Sequence, residues 1–365
     1  MAARKRKPKK NETNRLSSMV WMIVTMFFGG GIGGYLNPDL PIIGPLIAEL
    51  NLGSGSTGTS AQTQPVSNAP GTIGAGGSGA LGNAPASNQP SPQKPNDRLL
   101  ICSFNIQVFG ASKLAKPDVM QVIVQILRQF DIVAIQEVRA KDDTILPTLV
   151  QMLNSNGSQY SHIIGPRLGR TVSTEQYAYV FDTTRVEHDP SSVGTVGDPR
   201  DLLHREPFVA RFRPRTTSPQ QAFTFWLVNI HTDPDEVATE VDALADVFQM
   251  MRTANPNEDD VILLGDLNAS EKQLGRLGQI PGIQWAVSNT TTNTRQTKAY
   301  DNIIFHGQAT SEYLGRWGVF DIARSFQLTT EQALMVSDHL PVWAEFNIWE
   351  STPQQFSERP ETIRR

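Results

Sequence analysis

Between residues 98 and 348 the chain repeatedly runs apolar for a handful of residues and then stops at a polar one. The runs are 99–105, 132–136, 177–181, 208–212, 223–230, 261–265, 302–305 and 342–346, rich in β-branched and aromatic side chains. Segments of this kind are predicted strands. Between them, two stretches place apolar residues at helical spacing: Val119, Ile123, Ile126, Leu127 and Phe130 in one, and Val237, Val241, Leu244, Val247, Phe248 and Met251 in the other. Asp118 and Asp235 stand where helix caps are expected. The pattern predicts one mixed α/β domain with no internal repeat.

What precedes it is organised differently. Residues 1–15 hold seven basic residues against Glu12, and 16–37 hold no charge. The stretch 19–36 (MVWMIVTMFFGGGIGGYL) approaches a bilayer span at about 1.5 Å per residue. A basic flank retained in the cytoplasm then puts the rest of the chain outside, as a single-pass anchor or, after cleavage, as a secreted protein. Residues 51–96 carry one charge, Lys94, and 22 of the 46 are Gly, Ser or Pro. Such a stretch cannot bury enough surface to fold, and reads as a tether reaching roughly 35 to 40 Å. The expected organisation is a basic tail (1–15), the anchor or signal segment (16–37), a disordered linker (38–97), the folded domain (98–348) and a polar tail (349–365).

Charge and cysteine content remove several classes. Setting aside the seven basic and one acidic residue of the tail leaves 25 Lys and Arg against 35 Asp and Glu, a formal charge of −10. That body repels polyanions at long range, which excludes a nonspecific DNA-coating protein and demands a local basic patch or metal ions for any nucleic-acid contact. The single cysteine, Cys102, allows neither a zinc cluster nor an internal disulfide, and its apolar neighbours make it a small core residue.

The chemistry lies where the strands end. Asn105 follows ICSF, Glu137 follows IVAIQ, His231 follows FWLVNI, Asp266 and Asn268 follow VILLG, Asp301 precedes NIIF, and Asp338 and His339 precede LPVWAEF. Strand ends opening into loops are where a rigid scaffold presents a site. Carboxylates and amides suit a hard cation such as magnesium or calcium, and the two histidines are then available for proton transfer near neutral pH.

With the motifs FNIQVFG (104–110), DIVAIQEVR (131–139), REP (205–207), NIHTDP (229–234), GDLNAS (265–270), AYDNI (299–303) and SDHLP (337–341), the chain resembles the endonuclease/exonuclease/phosphatase superfamily. GDxN and SDHxP are superfamily-wide. QEVR, REP and AYD resemble the deoxyribonuclease I branch in particular, over about 100–346.

The resemblance implies a four-layer α/β sandwich of two packed mixed β-sheets flanked by helices, preceded here by the transmembrane helix and disordered linker. It implies a metal-dependent endonuclease that hydrolyses DNA by in-line attack of water, with a monomeric catalytic domain. Asn105, Glu137 and Asp338 would serve the metal, magnesium or manganese. Asp266 and Asn268 would line the phosphate site. His339 with Asp301 and His231 with Glu175 would be the general base and acid pairs, and Arg139 and Arg205 would contact DNA. The alternative is a phosphodiesterase or phosphatase acting on phospholipid or inositol phosphates. Two departures stand out. Ser173 replaces a groove-packing tyrosine, and of the family's calcium ligands only Asp201 has a counterpart, so calcium dependence does not carry over.

Overall fold

A computed structural model describes residues 94–351, apart from 171–173 and 256–257. The anchor, most of the linker, the tail beyond 351 and Ser173 lie outside the described residues. Among the described residues no helix is long and apolar enough to cross a membrane.

In chain order the elements are β1 (Arg98–Phe109), α1 (Ala111–Leu114), α2 (Pro117–Leu127), β2 (Ile132–Val138), α3 (Ile145–Asn154), β3 (Tyr160–Ile164), β4 (Gln176–Asp182), β5 (Val186–His188), β6 (Gly194–Thr195) and β7 (Phe208–Pro214). There follow β8 (Phe225–His231), α4 (Val237–Ala254), β9 (Val261–Asp266), α5 (Gly275–Gly278), β10 (Ile283–Trp285), β11 (Asp301–His306), β12 (Tyr313–Val319), α6 (Ile322–Phe326), α7 (Thr330–Val336) and β13 (Val342–Asn347).

One sheet runs β12-β13-β1-β2-β4-β3 and the other β10-β11-β9-β8-β7-β5, with β6 also on β7. Each sheet holds one parallel pair at its centre, β1 with β2 and β8 with β9, and antiparallel neighbours outside it. A parallel pair requires a crossover, and helices supply it: α1 and α2 between β1 and β2, α4 between β8 and β9.

Three apolar layers hold the sandwich together. Phe212, Phe223, Phe225, Phe305 and Phe346 fill the space between the sheets, with Phe223 and Phe225 stacked at 4.6 Å between ring centroids. Truncating one of these rings to alanine costs roughly 3 to 5 kcal/mol. The α2 and α3 side chains pack on the outer face of the first sheet and those of α4 on the outer face of the second. Central strands are thus covered on both faces, and β2, β8 and β9 are buried throughout. Cys102, on β1, is wholly buried, and burial pushes its thiol pKa up, away from reactivity.

All eight expected strands and both expected helices are present. The expected caps are corrected. The α2 N-cap is Lys116, with Pro117 starting the helix and Asp118 inside its first turn; the α4 N-cap is Glu236, without a side-chain bond, while Asp235 lies in the preceding turn. The end of the expected linker is bound to the domain. Lys94 Nζ meets Tyr160 Oη at 2.5 Å and Asp182 Oδ2 at 3.0 Å, and the Pro95 carbonyl accepts from Arg185 Nη2 at 2.8 Å. Beyond β13, Trp349 bridges to Ala222 and the Glu350 N–H donates to the Gln221 carbonyl.

Candidate active site

Both parallel pairs end at the same pole of the sandwich, and the polar residues gather there. The register places His231 beside Asp266 across β8 and β9, and Asp301 beside Asp266 across β11 and β9. In the GDxN segment, Gly265 has φ +151° and an added Cβ would meet the Ile230 carbonyl oxygen at 1.9 Å, so only glycine permits β9 to lie this close to β8. Asn268 follows with φ +49°; its N–H donates to Asp266 Oδ1 at 2.9 Å and its side chain to the Thr232 carbonyl at 2.9 Å.

Glu137 is aimed by an irregularity in its own strand. The register of β1 against β2 shifts between Asn105 and Phe109, and Val108 and Glu137 take φ values of +48° and +63°. A β-branched residue and a glutamate in the left-handed region are strained, and here the strain turns the Glu137 carboxylate toward the pole. Its oxygens accept from Val108 N at 2.9 Å and from Asn105 Nδ2 at 3.3 Å, and Arg139 Nε lies 3.1 Å away.

Two histidines are each backed by a carboxylate. His231 Nδ1 is 2.7 Å from Glu175 Oε1, and His339 Nδ1 is 3.0 Å from Asp301 Oδ2. Their other ring nitrogens converge on one atom, Asp266 Oδ2, at 3.5 Å from His231 and 3.4 Å from His339. Asn105 Nδ2 donates to that same oxygen at 3.0 Å.

The electrostatics follow from the pairing. Burial alone would lower the His339 pKa, but the Asp301 and Asp266 carboxylates outweigh it and raise it to about 10. His231 is also raised: burial opposes protonation, and Glu175, then Asp266, overcome it. Burial would raise the Glu175 pKa, but His231, Arg205 and Arg139 bring it below the ordinary glutamate value.

Asn105 Oδ1 and Asp338 Oδ1 are buried without a hydrogen-bond partner. Orphaned carboxylate and amide oxygens are donors a hard divalent ion takes, and Asn105 adjoins the Glu137 carboxylate, so the residues fit such an ion. Asp266, Asp301 and His339 also approach one another closely. Asp301, however, spends its oxygens on His339 and on the Thr292 hydroxyl at 2.7 Å, which marks it as an orienting group.

The two arginines sit differently. Arg139 bridges Glu137 and Glu175 with its side chain 27% exposed, at the edge of the site. Arg205 is only 5% exposed; it lies 3.5 Å from Glu175 Oε1 and donates to the His231 carbonyl at 3.0 Å. Asp201, the calcium-ligand counterpart, is paired with the Arg170 guanidinium at 2.9 Å.

Several residues of the site were not singled out from sequence. Gln107 Nε2 holds Asp338 Oδ2 at 2.9 Å, Thr292 holds Asp301, and the Tyr300 ring lies 5.7 Å from that of His339. Gln136 and Asn229 join the sheets behind the site through a 2.6 Å hydrogen bond. Gln107, Gln136, Asn229 and Tyr300 all fall inside the motifs above, where being polar within an apolar run was the available signal.

A family model described as the Endonuclease/Exonuclease/phosphatase family matches residues 102–339. Deoxyribonuclease-1-like 1 of Cricetulus griseus is 38% identical over 272 residues, spanning 70% of this chain and 86% of that protein. The Homo sapiens protein of the same name is 36% identical over 261 residues, spanning 68% of this chain and 84% of its own length. Deoxyribonuclease gamma of Rattus norvegicus is 34% identical over 275 residues, spanning 69% and 85%.

Proposed function

The chain belongs to the endonuclease/exonuclease/phosphatase family, and from that premise we propose that it is a divalent-metal-dependent endonuclease that hydrolyses phosphodiester bonds in DNA. The observation that carries this reading is the convergence of His231 and His339 on Asp266 Oδ2, each imidazole with a carboxylate behind it. A phosphate group lodged there lies within reach of two proton-transfer groups at once, as displacement at phosphorus requires. The names of the relatives supply DNA as the substrate class.

Asn105, Glu137 and Asp338 would hold the ion, magnesium or manganese. Such an ion offsets charge developing on the phosphoryl oxygens. The chain's own groups do the rest. Glu175 and Asp301 fix which ring nitrogen of each histidine faces the substrate and stabilise the imidazolium form. One histidine takes a proton from water and the other gives one to the departing oxygen; by resemblance His339 is the base and His231 the acid. Asn105 and Asn268 keep Asp266 in place. Arg139, at the rim, is placed to meet a phosphate of the DNA strand, while buried Arg205 acts mainly by steadying Glu175 and the His231 backbone.

The deciding assay offers the full-length chain plasmid DNA, RNA, sphingomyelin and phosphoinositides, with magnesium and with EDTA. Plasmid nicking that EDTA abolishes is the expected result. Turnover of the lipid headgroups with intact plasmid would overturn the DNA reading. The anchor reading rests on the basic cluster and the uncharged run 16–37. Reporter fusions after Asn96 should report an extracytoplasmic location, and a cytoplasmic signal would refute it.

A further inference from the structure

Asp260, just before β9, lies six residues from Asp266, roughly 20 Å away at strand spacing. A second group of acids gathers there. One oxygen from each of Asp260, Glu312 and Glu350 lies within 4.8 Å of the other two. Asp260 and Glu312 are 3% and 1% exposed, Glu312 Oε2 is buried without a hydrogen-bond partner, and the Thr310 hydroxyl is Asp260's neutral neighbour. The charged groups acting most strongly on Asp260 are Glu312, Glu350 and Glu258, all acidic. Buried carboxylates are normally paired or bound to metal, because an isolated buried charge costs several kcal/mol.

We propose that Asp260, Glu312 and Glu350 form a binding site for a hard divalent cation such as calcium, distinct from the active site. The donors are all oxygen, which excludes soft metals. One oxygen from each acid lies within 4.8 Å of the other two, close enough for a single cation to touch all three at metal–oxygen distances of roughly 2 to 2.6 Å.

The ligands come from three distant places in the chain: the start of β9, the turn before β12 and the segment after β13. That last segment is already tied in, since Thr224 N donates to Glu350 Oε2 at 3.3 Å and Ser351 N to Glu312 Oε1 at 2.7 Å. A bound cation therefore fastens the C-terminal end of the domain to both sides of the sandwich.

The test is thermal unfolding of the full-length chain in EDTA and across a calcium titration, for the wild type, Glu137→Gln, Asp260→Asn and Glu350→Gln. Calcium at a hundredfold excess over its dissociation constant should raise Tm by roughly 5 to 10 °C in the wild type and in Glu137→Gln. The shift should vanish in Asp260→Asn. Exposed Glu350→Gln, which disturbs packing least, should need at least tenfold more calcium for the same shift and keeps the test decisive if Asp260→Asn does not fold. Absence of a calcium shift in the wild type, an equal shift in all four proteins, or a shift lost in Glu137→Gln and kept in Asp260→Asn would each overturn the site.

Discussion

β9 carries an aspartate at its last position and another just before its first, and their surroundings treat them oppositely. Asp266 receives an amide N–H from Asn105, the backbone N–H of Asn268 and the approach of two imidazoles. Asp260 faces other carboxylates. The first arrangement holds negative charge in a buried place by supplying donors, and leaves only chosen oxygens, Asn105 Oδ1 and Asp338 Oδ1, open. The second supplies few donors and concentrates charge. Burial alone therefore does not decide whether an acid is ionised; the placement of donors does.

The largest effects should separate the poles by activity. His339→Ala or Glu137→Gln should cost several powers of ten in DNA cleavage, roughly 4 kcal/mol or more of transition-state stabilisation. Asp260→Asn, assayed at 25 °C in saturating magnesium, should stay within twofold of the wild type. Comparable losses at both ends would break the contrast.

Next comes the coupling of the histidines. If His231 and His339 act as one acid and one base, the double alanine variant should be scarcely slower than the worse single one, since members of a working unit do not contribute independently. A nitrophenyl phosphodiester, whose leaving group needs no acid, should rescue only the variant that lost the acid. The strong hold on a proton at His339 makes this experiment the one that fixes the direction of transfer. Equal rescue of both variants would dissolve the division of labour.

Both acid and alkali should weaken the fold, by a few kcal/mol, and His339, held at about 10, loses its stabilising protonation as pH rises, on the same side as the acids at the far end. Glu175 is held low, so its stabilising pairing is present above the unfolded glutamate pKa and is lost as pH falls. Asp260, Glu258 and Glu350 are held at about 9, 7 and 6, so the folded chain binds more protons than the unfolded one above pH 4 or so, and stability falls as pH rises toward 9. In EDTA, Asp260→Asn should flatten the alkaline side of a denaturant-measured stability profile and leave the acid side alone. A profile unchanged on the alkaline side would mean that these acids titrate normally.

Smaller still is Arg205→Lys, which keeps the charge and loses the fork: about tenfold in kcat with little change in KM if it acts through Glu175 and His231. A change confined to KM would put it on the substrate. Smallest is Asp118→Ala, an acid at neither pole and no cap, which should cost only a few tenths of a kcal/mol in urea denaturation.

The two poles were unequally legible in the sequence. Strands covered on both faces announce themselves as apolar runs, and a polar residue at the end of one marks where the cover stops; that is why Asn105, Glu137, His231, Asp266, Asp301 and His339 stood out. The edge strands did not. β3, β10 and β12 are half-exposed, and YSHII, IQW and YLGRWGV carry no clean alternation. α6 and α7 are short, although the Thr329 to Gln332 capping box at the start of α7 was available to be read. Asp260, Glu312 and Glu350 look in sequence like ordinary surface acids, because only the sandwich brings them together. The aim of Glu137 was hidden too, since it depends on a strand irregularity and not on residue type.

The attachment of Lys94 and Pro95 has a mechanical consequence. β1 begins at Arg98, at the opposite end from Asn105, so the chain preceding the domain departs from the pole away from the two histidines. A pull between that point of exit and a polymer gripped at the active site would run along the length of β1. This strand is flanked by β13 on one side and β2 on the other, and the load would be carried in shear by both hydrogen-bond ladders at once instead of opening them one rung at a time.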